Sequence, residues 1–346
     1  MAKSGKVHIT PKMLKWAREK RVGLSIDYAA KKLRIKPERL EAWEHGTDLP
    51  TFAQLMRVAD LYKTGVSAFY LPEPPTGFQP LADHRGLPEP LATDAEQAYR
   101  LNANIIEAYE RRETLIEFYE LLEESPPQVA LKLSEADEPE TAAQKIRSLF
   151  EFSRERLAES KDIHAALKFW KQTVEAKGVL VCQTSANPHL SIDLETARGF
   201  CISQNPFPVI VVNSKDSLNG RIFTIIHELV HIALGKSVIQ NAGFSRQPNL
   251  NPTEVFCTQV AAQVLVPEKE IYRTIQQRKD KADSAQTDGC AYYNRLLNAP
   301  GEHFARTAFT AYYEQKITLA ELASVLSNSN IKHLSEIERT IFALKG

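Results

Sequence analysis

Between residues 11 and 71 the apolar positions recur three and four apart in short runs, the spacing of small amphipathic helices. PKMLKWAREKR starts with Pro11 at a first helical position. Ser25 caps SIDYAAKKL, KPERLEAWEHG ends at Gly46, Thr51 caps TFAQLMRVADLY, and VSAFYL closes the run. Leu14, Ala29, Ala30, Leu33, Leu40, Trp43, Leu55, Val58, Ala59 and Leu61 are the predicted core of this all-α bundle. The stretch 93–160 is helical too, with DAEQAYRLNANIIEAYERRETLIEFYELLEE free of Gly and Pro and its acidic residues expected to form a solvated face. TAAQKIRSLFEF and IHAALKFWKQTVEAKG follow, the latter stopped by Gly178. Then GVLVCQT, RGFCIS and PVIVVN, β-branched and apolar, predict three strands. From Gly220 the chain returns to helix in RIFTIIHELVHIALG and PTEVFCTQVAAQVLVP, and the last 45 residues read as helical. The expected class is α+β, helix-rich, with an N-terminal helical bundle and a C-terminal domain holding a small sheet.

The length of 346 residues suits two or three domains. With 43% hydrophobic and 25% charged residues the chain is neither disordered nor fibrous. Its four cysteines, Cys182, Cys201, Cys257 and Cys290, contain no CxxC and support no disulfide framework. No apolar run reaches the about 18 residues needed to span a bilayer, so no membrane association is expected. MAKSGKVHIT has no apolar signal core, and a reduced, cytoplasmic protein is expected. Net charge is zero, but residues 1–72 hold 14 Lys or Arg against 7 Asp or Glu, a net of +7. Residues 73–160 hold 9 against 19, a net of −10, so the two parts call for different partners. Six prolines in LPEPPTGFQPLADHRGLPEP mark a linker. The expected organisation is a bundle at 1–72, a linker at 73–92, an acidic helical segment at 93–160 and a larger domain at 161–346.

The strongest chemical signal is His227-Glu228-Leu229-Val230-His231. On a helix the two histidines share a face, and both imidazoles can reach one tetrahedral Zn²⁺. Glu228, one residue on, stands beside that point, where a general base takes a proton from water. A third ligand is needed. Cys257 could serve chemically, but Glu254 is better placed, in the first turn of the next helix and 23 residues beyond His231. Glu268 and Glu270 are rivals that lie past the helix-ending Val266-Pro267.

RIFTIIHELVHIALG, then EVFCTQVAAQVLVP, preceded by ETARGFCIS and FPVIVVN, resembles the ImmA/IrrE metallopeptidases over roughly residues 140–345. Arg221 matches the family's Arg before HExxH, and Glu254 to Pro267 matches its Glu-led helix. The resemblance implies a zincin-like fold, Zn²⁺ held by His227, His231 and Glu254, and Glu228 as catalytic acid–base. Thr258 and Val260 stand where the family usually has Asn and an aromatic. Family members typically cleave a helix-turn-helix repressor, releasing mobile-element, stress-response or toxin–antitoxin genes. The resemblance thus implies a protein substrate of repressor or antitoxin type.

Residues 11–71 resemble the Cro/XRE helix-turn-helix family, with Trp43-Glu44-His45-Gly46 and Leu49-Pro50-Thr51 at the matching places. That makes Ser25–Leu33 the second helix and Lys36–His45 the recognition helix, whose N-terminal side chains enter the major groove. Lys31, Lys32, Arg34 and Lys36 would supply charge for phosphates, and Arg39 is a groove-facing candidate along with Lys36, Pro37, Glu38, Glu41 and Ala42. Glu38 and Glu41 face the wrong way electrostatically, so a bundle turned protein-docking module is the alternative. Tyr292, Tyr293 and His303 are weaker candidates for stabilising an oxyanion. The combined expectation is a zinc endopeptidase coupled to a helix-turn-helix domain that controls gene expression. The alternative is a DNA-binding regulator or toxin–antitoxin component with a structural or inactive metal site.

Overall fold

The computed structural model describes residues 5–75, 95–152, 157, 160–184, 188–240, 252–265, 301–326 and 334. Most of the expected linker falls outside them, as do Glu268, Glu270, Cys290, Tyr292 and Tyr293. The protein is helix-rich α+β and divides into two compact units, residues 1–107 and 108–346. The division falls inside the stretch 93–160.

In the first unit, Pro11 presets the helical φ and opens α1 (Pro11–Trp16), which widens into a π-helical turn over Ala17–Arg21. The single helix expected here is therefore two segments. The turn coincides with two buried arginines, Arg18 and Arg21, that both hydrogen-bond inward. Ser25 accepts from the Tyr28 N–H and starts α2 (Ile26–Leu33), and α3 (Pro37–Glu44) follows. A reciprocal capping box between Thr51 and Gln54 starts α4 (Phe52–Leu61). A 3₁₀ turn over Val66–Tyr70 completes the bundle. All ten residues expected in the core are buried.

The acidic stretch forms α5 (Ala95–Leu121), which has the solvated acidic face expected and buries other faces. Leu101, Ala103, Ile105 and Ile106 are buried in its first half, and Ala108, Arg112, Leu115 and Phe118 in its second. Glu110, Glu113, Glu117 and Glu120, spaced three and four apart, form an exposed stripe along its second half. Four of the six acidic residues of α5 lie in that stripe, and the other two, Glu96 and Glu107, are half-buried.

The second unit contains α6 (Pro139–Phe150) and α7 (Ile163–Glu175), the latter capped by Asp162, whose carboxylate accepts from Ala165 N–H. Gly178, at φ +87°, turns the chain out of α7 into β1 (Leu180–Gln183). β2 (Gly199–Ile202), β3 (Val209–Val212) and β4 (Val238–Gln240) complete a sheet of order β1-β3-β2-β4. β1 runs parallel to β3, and β2 pairs antiparallel with both β3 and β4. Every residue of β1, β2 and β3 is buried, which explains why they read as continuous apolar runs rather than alternating ones. β4 was not anticipated: three residues straight after a helix carry too little periodicity to register.

Ser217 accepts from Gly220 N–H and starts α8 (Leu218–Ala233), which packs on β2 and β3. α9 (Pro252–Leu265) packs against α8 and α6. Ile225, Ile226, Leu229, Val230, Phe256, Val260 and Ala261 join the core between these helices. Full burial of such a side chain stabilises by about 1.5–3 kcal/mol, so this packing fixes how α8 and α9 face each other. α10 (Glu302–Tyr313) and α11 (Leu319–Val325) account for the described part of the helical C-terminal stretch.

Candidate functional site

The core packing of α8 and α9 brings together His227, His231 and Glu254. His227 and His231 lie one turn apart on α8, and their Nε2 atoms are 3.1 Å apart. Glu254 reaches between them, with Oε2 at 3.1 Å from His227 Nε2 and Oε1 at 3.3 Å from His231 Nε2. Four-coordinate zinc with bonds of about 2.0–2.1 Å sets its ligands roughly 3.3 Å apart. The three side chains already stand close to that spacing. Two imidazole nitrogens and a carboxylate held so close need a cation or a shared proton among them. The residues present therefore fit a zinc ion.

The electrostatics agree. Burial by itself would lift the Glu254 carboxyl, but hydrogen bonds to His227 and His231 and the positive charge they can carry hold it at about 2. Burial by itself would lower His231, but the Glu254 carboxylate and the Glu228 charge push it up. Glu254 also sits in the first turn of α9, where the helix dipole favours an anion.

Glu228 is fully buried beside this set. Neither carboxylate oxygen has a hydrogen-bond partner of good geometry. Burial raises its pKa, against the pull of the two histidines and the nearby Cys201 thiol. That thiol also lies 3.4 Å from Lys236 O, to which it donates. A buried carboxylate with unfilled lone pairs is costly to keep. Structural needs of the helix do not call for one at this position.

Cys257 does not join the ligand set. Its sulfur lies 3.6 Å from His231 Nδ1, on the side of the ring away from the converging Nε2 atoms. Burial pushes its thiol well above the usual range. One helical turn beyond Glu254 the side chain falls behind the histidine, which spacing from Glu254 does not reveal. Arg221 anchors the first turn of α8. It donates from Nε to Asp216 O (2.8 Å), from Nη2 to Ser214 O, and from Nη1 to Gln183 Oε1. Thr258 is exposed and Val260 buried in the core. His303 packs against Tyr119 and Phe207, and its Nε2 lies 3.3 Å from the Tyr119 hydroxyl.

Of the residues expected to meet DNA, Lys31 and Lys32 lie in the last turn of α2. Arg34 ends that helix in the left-handed conformation at φ 58°, and Lys36 is the N-cap of α3. Lys31, Arg34 and Lys36 are exposed and have no carboxylate partner among the described residues. Lys32 is different. Its Nζ lies 2.6 Å from Glu96, which also accepts from the Tyr28 hydroxyl. Arg39 lies over the Trp43 ring at 5.5 Å and 3.6 Å from Asp48. Two of the five positive charges are thus already shared with carboxylates.

Fold and site together define a helix-rich α+β domain built round an HExxH helix, preceded by a helical bundle with a helix-turn-helix order. Among family models, residues 174–293 match the IrrE N-terminal-like domain of the M78 peptidases, and residues 14–69 match the helix-turn-helix model. The first match is narrower than the stretch 140–345 over which the sequence shows its resemblance. No curated protein and no solved structure gives a significant match. The chain joins a helix-turn-helix domain to a metallopeptidase-like domain. No helix among the described residues is long and apolar enough to cross a membrane.

Proposed function

We propose that this chain is a zinc-dependent endopeptidase whose substrate is a protein, a helix-turn-helix repressor or antitoxin-like partner, and that residues 1–72 place it on DNA. The observation that carries the reading is the convergence of His227, His231 and Glu254 beside a buried, unpartnered Glu228. His227, His231 and Glu254 would hold the ion. Zn²⁺, when bound, supplies Lewis-acid polarisation of the scissile carbonyl and makes water more acidic. Glu228 takes a proton from the attacking water onto a carboxylate oxygen. It then returns that proton to the leaving amine, so the carboxylate ends as it began. Its burial keeps bulk water from competing for the proton. The repressor-like substrate rests on the family resemblance, and the DNA role on the unpaired Lys31, Arg34 and Lys36 around the start of α3.

Glu228→Gln tests the enzyme. Gln is nearly isosteric, so the fold and about one zinc per chain are expected to remain, as zinc analysis reads. Cleavage of a co-expressed helix-turn-helix protein should fall by about 10²–10⁴-fold. Wild-type cleavage by the variant would remove Glu228 from the mechanism. Zinc in both proteins with no cleavage of any candidate by either would favour a regulator whose metal site is structural.

A further inference from the structure

A second polar cluster lies at the junction of the two ligand-bearing helices. α8 ends in a Schellman arrangement: Gly235, at φ +70°, donates to Ile232 O (2.9 Å), and Lys236 N–H donates to His231 O (2.9 Å). The backbone of Lys236 is thereby tied to a ligand residue. Its ammonium donates to the Thr253 hydroxyl at 3.0 Å and to the Glu135 carboxylate. The Thr253 hydroxyl donates in turn to Glu135. Glu135 is held in reach because Leu133 N–H, two residues earlier, donates to Ala233 O (2.9 Å) at the open end of α8. Thr253 immediately precedes Glu254 in the first turn of α9. Three chain segments therefore meet in one closed hydrogen-bonded triangle, one residue away from the third ligand.

We propose that Glu135, Lys236 and Thr253 are positioning residues that hold Glu254 at bonding distance from His227 and His231. The inference rests on the reading of His227, His231 and Glu254 as a metal set. Apolar packing sets the separation of α8 and α9, but it is non-directional and leaves sliding of one helix along the other weakly opposed. A triangle of directional bonds between the end of α8 and the start of α9 opposes that slide. Glu135 also carries the charge that keeps the Lys236 ammonium there. With Glu135 and Lys236 both about half exposed, the triangle works through geometry rather than through a strong ion pair.

The test uses the full-length protein and reads zinc affinity by chelator competition, together with the visible spectrum of the Co²⁺ form. Thr253→Val keeps shape and loses the hydroxyl. Lys236→Met keeps the stem and loses the charge. Each should weaken zinc by roughly 10-fold or more, the scale for groups that orient metal ligands, and should shift the Co²⁺ bands while far-UV circular dichroism stays unchanged. Thr253→Ser, which keeps the hydroxyl, should restore both readouts, and failure to do so would overturn the proposal. Glu254→Ala separates the two levels of the argument. If it loses zinc while Thr253→Val and Lys236→Met bind like wild type, the positioning role is overturned and the metal set stands. If Glu254→Ala itself binds like wild type, the metal set is wrong and the positioning role goes with it.

Discussion

Glu44→Ala should unfold the helix-turn-helix bundle far more readily than any surface change in it. Glu44 ends α3, and its carboxylate receives a two-pronged contact from Arg18, Nε to Oε1 at 2.7 Å and Nη2 to Oε2 at 2.8 Å. Arg18 also donates to Leu24 O (2.8 Å) and to the more exposed Glu19 (3.0 Å), while Arg18 and Glu44 themselves are buried, 6% and 8% exposed. The hydrogen bond to Glu44 is the largest influence raising the guanidinium pKa, and even without it an arginine stays charged, because its intrinsic pKa lies above about 12. Without Glu44 the buried guanidinium keeps only the exposed Glu19 carboxylate, and breaking a buried ion pair costs about 3–5 kcal/mol, against a total of about 5–15 kcal/mol for an ordinary domain. Replacing both residues, as Arg18→Met with Glu44→Leu, removes the stranded charge and should bring stability back to within about 1 kcal/mol of wild type. Of the three tryptophans, Trp16 and Trp43 lie in this unit and Trp170 in the other. In a Trp170→Phe background, urea unfolding followed by fluorescence therefore reports on the bundle. A loss under about 1 kcal/mol for Glu44→Ala, or a double variant as unstable as the single one, would refute the account of Arg18.

Three further outcomes are expected. Lys36→Ala should lower DNA affinity and reduce its salt slope by about one unit, whereas Lys32→Ala should do less because Lys32 is already paired with Glu96; titration at several salt concentrations decides, and equal effects would mean that pairing opens on DNA. Glu96 is held at about 2, burial being outweighed by Lys32, Tyr28 and Arg100. Its stabilising contribution is therefore full above the ordinary carboxyl value and fades as pH falls from about 4.5 towards about 2, so the difference in stability between wild type and Glu96→Gln should shrink over that window in acid unfolding. At Gly199 a Cβ would stand 2.5 Å from Thr224 Cγ2 and 2.8 Å from Val211 O, so Gly199→Ala should cost about 1–3 kcal/mol in unfolding experiments, part of it regained with Thr224→Ser.

Local order was legible in the chain because its causes are local. A four-residue spacing turns His227 and His231 to one side of a helix wherever that helix lies. Ser25 and Thr51 cap their own helices through bonds three residues long. All ten bundle positions picked out by the apolar period are buried, and Met13, Ala17, Val22, Leu24, Tyr62 and Phe69 join them. What lies far apart in sequence was settled by packing. His227 and Glu254 are 27 residues apart and meet because the apolar faces of α8 and α9 close on each other. That same closure puts Cys257 behind His231 rather than at the metal point. Arg18 and Glu44 read as two ordinary charged residues until burial turns them into a two-pronged pair. Lys32 reads as a phosphate contact until α5 brings Glu96 to it. β4 is too short to show a period and exists by pairing with β2. Periodicity records which face of an element turns inward; which partner it meets there depends on the energy of closing the whole core, which no single segment carries.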